Sequence, residues 1–261
     1  MYPERIVCLA AEIPEILNEL GALDRVVGIS AYTTRPLEAL SIPKVSGFQN
    51  GSIKKILETK PDVAILTSAV QNGLAAALGQ AGITVIHLYP QRLQDLFSTI
   101  SLLGNVVGAS DRASALNARL QLAIDEVRVK AERFPRRPRV YFEEWMDPLI
   151  TGIGWVSDLI ELAGGEDVFR AKAIEGLSAA DRVVKPDDVI AADPDLVFAS
   201  WCGKPFRHPE FCERPGFAQI AAVREGHVYE LSGEVLQCGP MLIDTLYSLH
   251  QTIAKVARSE R

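Results

Sequence analysis

One pattern in this chain occurs twice. The run Ile53-Lys54-Lys55-Ile56-Leu57-Glu58-Thr59-Lys60-Pro61-Asp62-Val63-Ala64-Ile65-Leu66 returns as Pro186-Asp187-Asp188-Val189-Ile190-Ala191-Ala192-Asp193-Pro194-Asp195-Leu196-Val197-Phe198-Ala199. Each copy reads as a helix, a Pro-Asp turn and a buried strand. A single Pro-Asp turn says little, because such turns are common. Its return at the same place on either side of a long helical stretch implies two similar lobes joined by that helix.

The flanking residues agree. Arg5-Ile6-Val7-Cys8-Leu9 is a short apolar strand, and Ile13 to Leu20 has helical spacing closed by Gly21. Val26 to Ser30, Val63 to Leu66 and Val85 to Leu88 read as further strands, with helical stretches near 36–40, 52–59 and 71–81 between them. From Leu93 the pattern is helical. Ala113 to Arg133 reads as one long helix, stopped by Pro135 and Pro138. Strand and helix then alternate again at 139–142, 156–162, 196–199 and 227–231, before an amphipathic helix from Met241 to Ala257. Such alternation predicts parallel sheets covered on both faces. The expected fold is α/β, with two Rossmann-like lobes over 1–108 and 136–261 and a linking helix over 109–135.

Composition narrows the function. The chain has 261 residues, 48% of them hydrophobic, enough for a sizeable core. A net charge of −6 gives no electrostatic footprint for nucleic acid. No run reaches the roughly 18 apolar residues of a spanning helix, and Met1-Tyr2-Pro3-Glu4-Arg5 lacks the layout of a signal peptide. The chain therefore reads as soluble. A periplasmic or other extracytoplasmic location is expected if a signal peptide preceded Met1, and a cytoplasmic one otherwise. Cys8 reads as core, while Cys202, Cys212 and Cys238 admit either a disulfide or free thiols. There is no C-x-x-C pair, and His87, His227 and His250 share no ligand spacing, so no metal site is expected. His208 reads as a surface loop residue. No G-x-S-x-G, H-E-x-x-H, P-loop or G-x-G-x-x-G motif is present. Glu143-Glu144 and Asp187-Asp188 are adjacent pairs whose side chains diverge, so an enzyme is not expected.

Arg5 to Gly21, Val27 to Tyr32, Val45-Ser46-Gly47-Phe48-Gln49, Lys60-Pro61-Asp62, Leu159 to Glu166 and Asp193-Pro194-Asp195 together resemble the helical-backbone periplasmic binding proteins of ABC importers. That class includes cobalamin-, haem- and ferric siderophore-binding proteins. Tyr32, the segment 45–49 and Tyr141-Phe142-Glu143-Glu144-Trp145 look most like the cobalamin-binding members. The resemblance implies a small-molecule ligand held between the lobes, a corrinoid such as cobalamin, and no other cofactor. It also implies an ABC permease as partner and a monomeric state.

Ligand-binding residues follow from the same resemblance and from position near strand ends. They are Tyr32, Phe48, Glu144, Trp145, Trp155, Asp181 and Trp201. The aromatics would stack on the flat faces of a corrin, and Glu144 would accept hydrogen bonds from its amide rim. Asp181 matches a family cleft position. A siderophore or haem ligand is the alternative and would call on Arg35, Arg182 and Arg207; a corrinoid- or metal-handling protein that is not exported is another. Family members dock on the permease through one acidic residue on each lobe. The second-lobe position falls on Asp187. The first-lobe position falls on Lys54, of the wrong sign, with Glu58 one turn further on.

Overall fold

The computed structural model describes residues 2–47 and 51–259. The chain divides into two compact α/β units, with unit 1 made of Met1–Pro90 and Gln94–Leu120 and unit 2 of Gln91–Leu93 and Gln121–Arg261.

Unit 1 begins with strand β1 (Ile6–Cys8), helix α1 (Ile13–Glu19) and strands β2 (Val26–Ser30) and β3 (Lys44–Ser46). Helix α2 (Ile53–Glu58), β4 (Val63–Leu66), α3 (Asn72–Gln80) and β5 (Thr84–His87) follow. The five strands pair in the order β3-β2-β1-β4-β5, every pair parallel. All four residues of β4 are buried, as a strand between two helical layers must be. Val7 and Leu9 of one sheet face pack with Ala64 and Leu66 against Ile56, Leu74 and Leu78 from α2 and α3. Each Val, Leu or Ile among them contributes about 1.5–3 kcal/mol by leaving water.

Helix α4 (Leu93–Val107) and the long helix α5 (Ser110–Ala131) come next. The turn between them needs Gly108 at φ +74. Helix α5 runs with unit 1 through Leu120 and with unit 2 from Gln121.

Unit 2 starts with β6 (Arg139–Met146), β7 (Leu149–Thr151), α6 (Gly154–Leu162), β8 (Glu166–Asp167) and α7 (Arg170–Glu175). It continues with α8 (Pro186–Ala192), β9 (Leu196–Ala199), α9 (His208–Cys212), α10 (Ala221–Arg224), β10 (Val228–Glu230) and α11 (Leu242–Arg258). The sheet order is β10-β9-β6-β7, with β8 also on β6. Strands β10, β9, β6 and β8 are parallel, whereas β7 folds back on β6 as an antiparallel hairpin. That hairpin corrects the sequence expectation in one respect: β6 runs on to Met146, so Trp145 lies within the strand, opposite Ile150, and not beyond its end. Below it, Tyr141, Val189, Val197, Phe211, Phe217 and Ile220 form a core. Helix α11 turns Leu246, Leu249 and Ile253 inward.

The two copies of the repeat become α2-β4 and α8-β9. Each helix stops at a non-glycine residue in the left-handed region directly before the proline, Lys60 at φ 48 and Asp193 at φ 37. That conformation costs roughly 1–2 kcal/mol for an L-residue, and local hydrogen bonds offset it. Arg5 Nε donates to the Lys60 carbonyl at 2.9 Å, and Asp193 Oδ1 accepts from the Ala221 N–H at 2.7 Å.

Candidate functional site

Open parallel sheets leave room for ligands outside the carboxyl ends of their strands. In unit 1 that edge carries a polar network beneath exposed aromatics. Glu12, just after β1, is 5% exposed, and its carboxyl accepts from Thr67 Oγ1 at 2.6 Å. Burial raises its pKa, while the Thr67 hydrogen bond pulls the other way. Gln71 braces the neighbouring backbone, donating to the Leu9 carbonyl at 2.7 Å and accepting from Thr67 N–H at 3.2 Å. After β5, the Tyr89 hydroxyl donates to Asn72 Oδ1 at 2.5 Å and lies 3.1 Å from His87 Nδ1. Tyr32, after β2, is 49% exposed. Thr33 and Ser46 hold buried hydroxyls with no hydrogen-bond partner among the described residues. Phe48 lies outside the described residues.

In unit 2 the corresponding edge is built on two adjacent carboxylates that point apart, as neighbours on a strand do. Glu143 is fully buried. It receives Arg214 Nη1 at 2.6 Å and Nη2 at 2.9 Å, Trp201 Nε1 at 2.9 Å and the Tyr141 hydroxyl at 3.1 Å. Four donors meet its two oxygens, so a charge inside the protein is both paired and hydrogen-bonded. The Arg214 guanidinium also lies over Phe211 and Phe217, at 5.0 and 5.3 Å. Burial, then Glu143, pushes the Tyr141 hydroxyl well above its usual pKa. Glu144 takes Arg182 Nη1 at 2.5 Å and Nη2 at 3.3 Å, and Arg182 Nη1 also donates to the Thr151 carbonyl at 2.5 Å.

The candidates separate accordingly. Trp145 is partly exposed, with its Nε1 donating to the Asp147 carbonyl at 2.9 Å. Trp201 and Trp155 do not offer the free ring faces expected of them, being 4% and 6% exposed. Trp201 is bonded to Glu143 and meets Phe206 edge-on at 5.0 Å. Trp155 faces the core side of α6 and donates to the Val235 carbonyl at 2.9 Å. Glu144, expected to accept from a ligand rim, has its carboxylate paired with Arg182. Asp181 is exposed and accepts from Ser178 N–H at 2.9 Å and Ser178 Oγ at 2.7 Å, which lowers its pKa. Among the expected arginines, Arg182 is buried and paired, Arg207 pairs with Glu210 and Arg35 lies 3.9 Å from Glu15.

Lys54 and Asp187 occupy the same second position of α2 and α8, and both are exposed, as is Glu58. All four cysteines are free thiols. His208 opens α9, its Nδ1 3.6 Å from Cys212 Sγ. Among the described residues no three His, Cys, Asp or Glu side chains are placed to hold a metal ion, and no helix is long and apolar enough to cross a membrane. A hollow of ≈ 530 Å³ lies between the end of α1 and the α4–α5 turn, lined by Arg25, Arg112 and Ser110 among others. It sits at the amino-end side of the sheet, away from the strand ends described above.

Sequence reading missed Gln71, Tyr89 and the Glu143–Arg214 pair. Only the unusual Glu143-Glu144 doublet at the end of a buried strand hinted at the last of these.

Comparison with known proteins gives a consistent result. The sequence model of the family described as periplasmic binding protein matches residues 6–235. The ABC transporter substrate-binding lipoprotein YvrC of Bacillus subtilis (strain 168) is 27% identical over 262 residues, spanning 96% of this chain and 80% of its own length. The vitamin B12-binding protein of Vibrio parahaemolyticus is 26% identical over 239 residues, spanning 88% of this chain and 82% of its own. Among solved structures, the apo form of the periplasmic heme-binding protein RhuT from Roseiflexus sp. RS-1 matches with a TM-score of 0.82 at 25% identity, covering 98% of this chain and 99% of that one.

Proposed function

Because this chain belongs to the periplasmic binding protein family, we propose that it serves an ABC importer as the receptor for a corrinoid. Family membership makes it a substrate-binding protein; the corrinoid is the further step. It is supported by the ligand named for the Vibrio relative, vitamin B12, and above all by one observation. The carboxyl edge of unit 2 presents Trp145 while its two carboxylates are already neutralised by arginines. An aromatic face beside two carboxylates that are already paired suits a large flat ring, whose rim meets no uncompensated negative charge there. Binding and release are then the whole chemistry, and no bond is made or broken. An extracytoplasmic location is part of the proposal, in keeping with the lipoprotein relative. Docking on a permease through the exposed Asp187 is part of it too.

Haem is the second reading. It rests on the exposed phenols Tyr32 and Tyr89 in unit 1, which could approach a ferric centre, and on the ligand named for RhuT.

Titration of the purified chain with cyanocobalamin, haemin and a ferric hydroxamate siderophore, followed by ligand absorption and tryptophan fluorescence, tests both. Saturable one-to-one binding of the corrinoid below about 1 μM is the expected result. Saturable binding of haemin without the corrinoid would shift the assignment to the second reading.

A further inference from the structure

The ammonium of Lys204 lies 4.7 Å from the centroid of the Trp145 ring. Both partners are placed by their backbones. Trp145 is fixed within β6 and by its bond to the Asp147 carbonyl. Lys204 closes a turn whose N–H donates to the Trp201 carbonyl at 3.1 Å, with Gly203 at φ +72 in the position only glycine adopts freely. The chain after it is tied down by Phe206 N–H on Glu230 Oε1 at 3.1 Å. Strands β6 and β9 are parallel neighbours, with Glu143 opposite Ala199, so their carboxyl ends bring Trp145 and Lys204 together.

Charge is unbalanced there. Glu143 and Glu144 are committed to Arg214 and Arg182, and among the described residues no carboxylate pairs with Lys204. Among the described residues, the indole is the one close partner of the ammonium. In an exposed setting such a contact changes populations by a factor of roughly two to five, weak enough for a ligand to displace.

Resting on the function proposed above, we infer that Lys204 covers the Trp145 face until ligand arrives and then selects for a flat conjugated ring bearing a carboxylate at its edge. A ring stacking on the indole moves the ammonium aside. The flexible four-carbon stem keeps the charge within reach of the ring's rim. A carboxylate there supplies the counter-charge that the free protein lacks, whereas a rim of amides alone does not. The carboxylate can be carried by an incompletely amidated corrin or by a porphyrin.

Dicyanocobyric acid and dicyanocobinamide form a matched pair, differing at one side chain that is a carboxylate in the first and an amide in the second. Haemin is the porphyrin probe. The unaltered full chain should bind cobyric acid about fivefold tighter than cobinamide at low salt, the range of an exposed ion pair, and the preference should shrink at high salt. Lys204→Met should equalise the two affinities and Lys204→Arg should keep them apart, with unchanged thermal unfolding because Lys204 is exposed. Haemin losing affinity in Lys204→Met by a similar factor would mark the porphyrin as a carrier of the carboxylate, and cobyric acid alone doing so would mark the corrin; either supports the inference. Equal binding of the pair by the unaltered chain, or a preference that survives Lys204→Met, overturns this inference alone. No binding of any of the three ligands overturns the proposed function and this inference with it.

Discussion

The carboxylate of Asp195 accepts the backbone N–H of Arg139 at 2.8 Å while Asp195 returns its own N–H to the Arg139 carbonyl, also at 2.8 Å. Asp62 does the same at the other copy of the repeat, taking the N–H groups of Glu4 and Arg5 at 2.8 and 2.9 Å and donating to the Arg5 carbonyl. The aspartate of each Pro-Asp turn therefore clamps the amino end of the strand that pairs with its own, β1 for Asp62 and β6 for Asp195. That clamp sets the register in which Ile6 faces Val63 and Val140 faces Leu196.

The two clamps differ in burial, and their loss should differ in cost. Asp195 is 4% exposed and also holds Arg136 at 2.9 Å, whereas Asp62 is exposed. Asp195→Ala should cost about 3 kcal/mol, because a part-buried guanidinium and a strand N–H lose their partner. Asp62→Ala should cost about 1 kcal/mol, since water can take its place. Urea midpoints of the two variants check this, and equal losses would contradict it.

Glu143→Gln should destabilise unit 2 by about 3–5 kcal/mol, since it leaves Arg214 charged and nearly buried without its counter-ion. Adding Arg214→Met to the same chain should recover most of that loss. A double-mutant cycle by chemical denaturation measures the coupling.

Glu12 predicts a pH slope. Its folded pKa is raised, chiefly by burial, above the 4.5 of an ordinary glutamate, so the folded state holds a proton that the unfolded state has released. Stability should therefore fall as pH rises from about 4.5 through the raised folded pKa. Asp167, also raised chiefly by burial, adds a slope of the same sign. Glu12→Gln should remove its share. The difference in urea midpoint between acidic and mildly alkaline buffer should then be smaller in the variant than in the unaltered chain.

The tryptophans should divide by role. Trp145→Ala should weaken ligand binding roughly tenfold with little effect on stability, as loss of an aromatic contact face does. Trp201→Phe keeps the packing on Phe206 but loses the bond to Glu143. It should cost roughly 1–3 kcal/mol of stability, with a smaller effect on affinity. Fluorescence titration and thermal melts of both variants separate the two.

The repeat, the long helix and the strands with continuous apolar runs were legible in the sequence because each is a local pattern. Strand β8 was not, since Glu166-Asp167 is two polar residues that pair only because Arg139 and Val140 lie alongside. Nor was β7, whose three residues become a strand only by folding back on β6. At the site, Trp155 shares the spacing of Val156, Leu159 and Ile160, a core face that could be read in advance. Trp201 could not, because its burial depends on Glu143 and Phe206. Glu143 in turn depends on Arg214, far along the chain. Charge pairs of long sequence separation leave no periodicity.

Gln91–Leu93 belong to unit 2 although the residues on either side belong to unit 1. Both oxygens of Asp158 hold Arg92, at 2.6 and 2.8 Å, and Oδ2 also takes the Leu93 N–H at 3.1 Å. Neither unit is thus a contiguous stretch of the gene. A truncation ending at Leu120 would carry three residues stripped of their partners, and one starting at Gln121 would leave Asp158 with Arg170 alone. Chimeras that exchange halves with a relative should move residues 91–93 together with the second half, or the stitch will be mismatched.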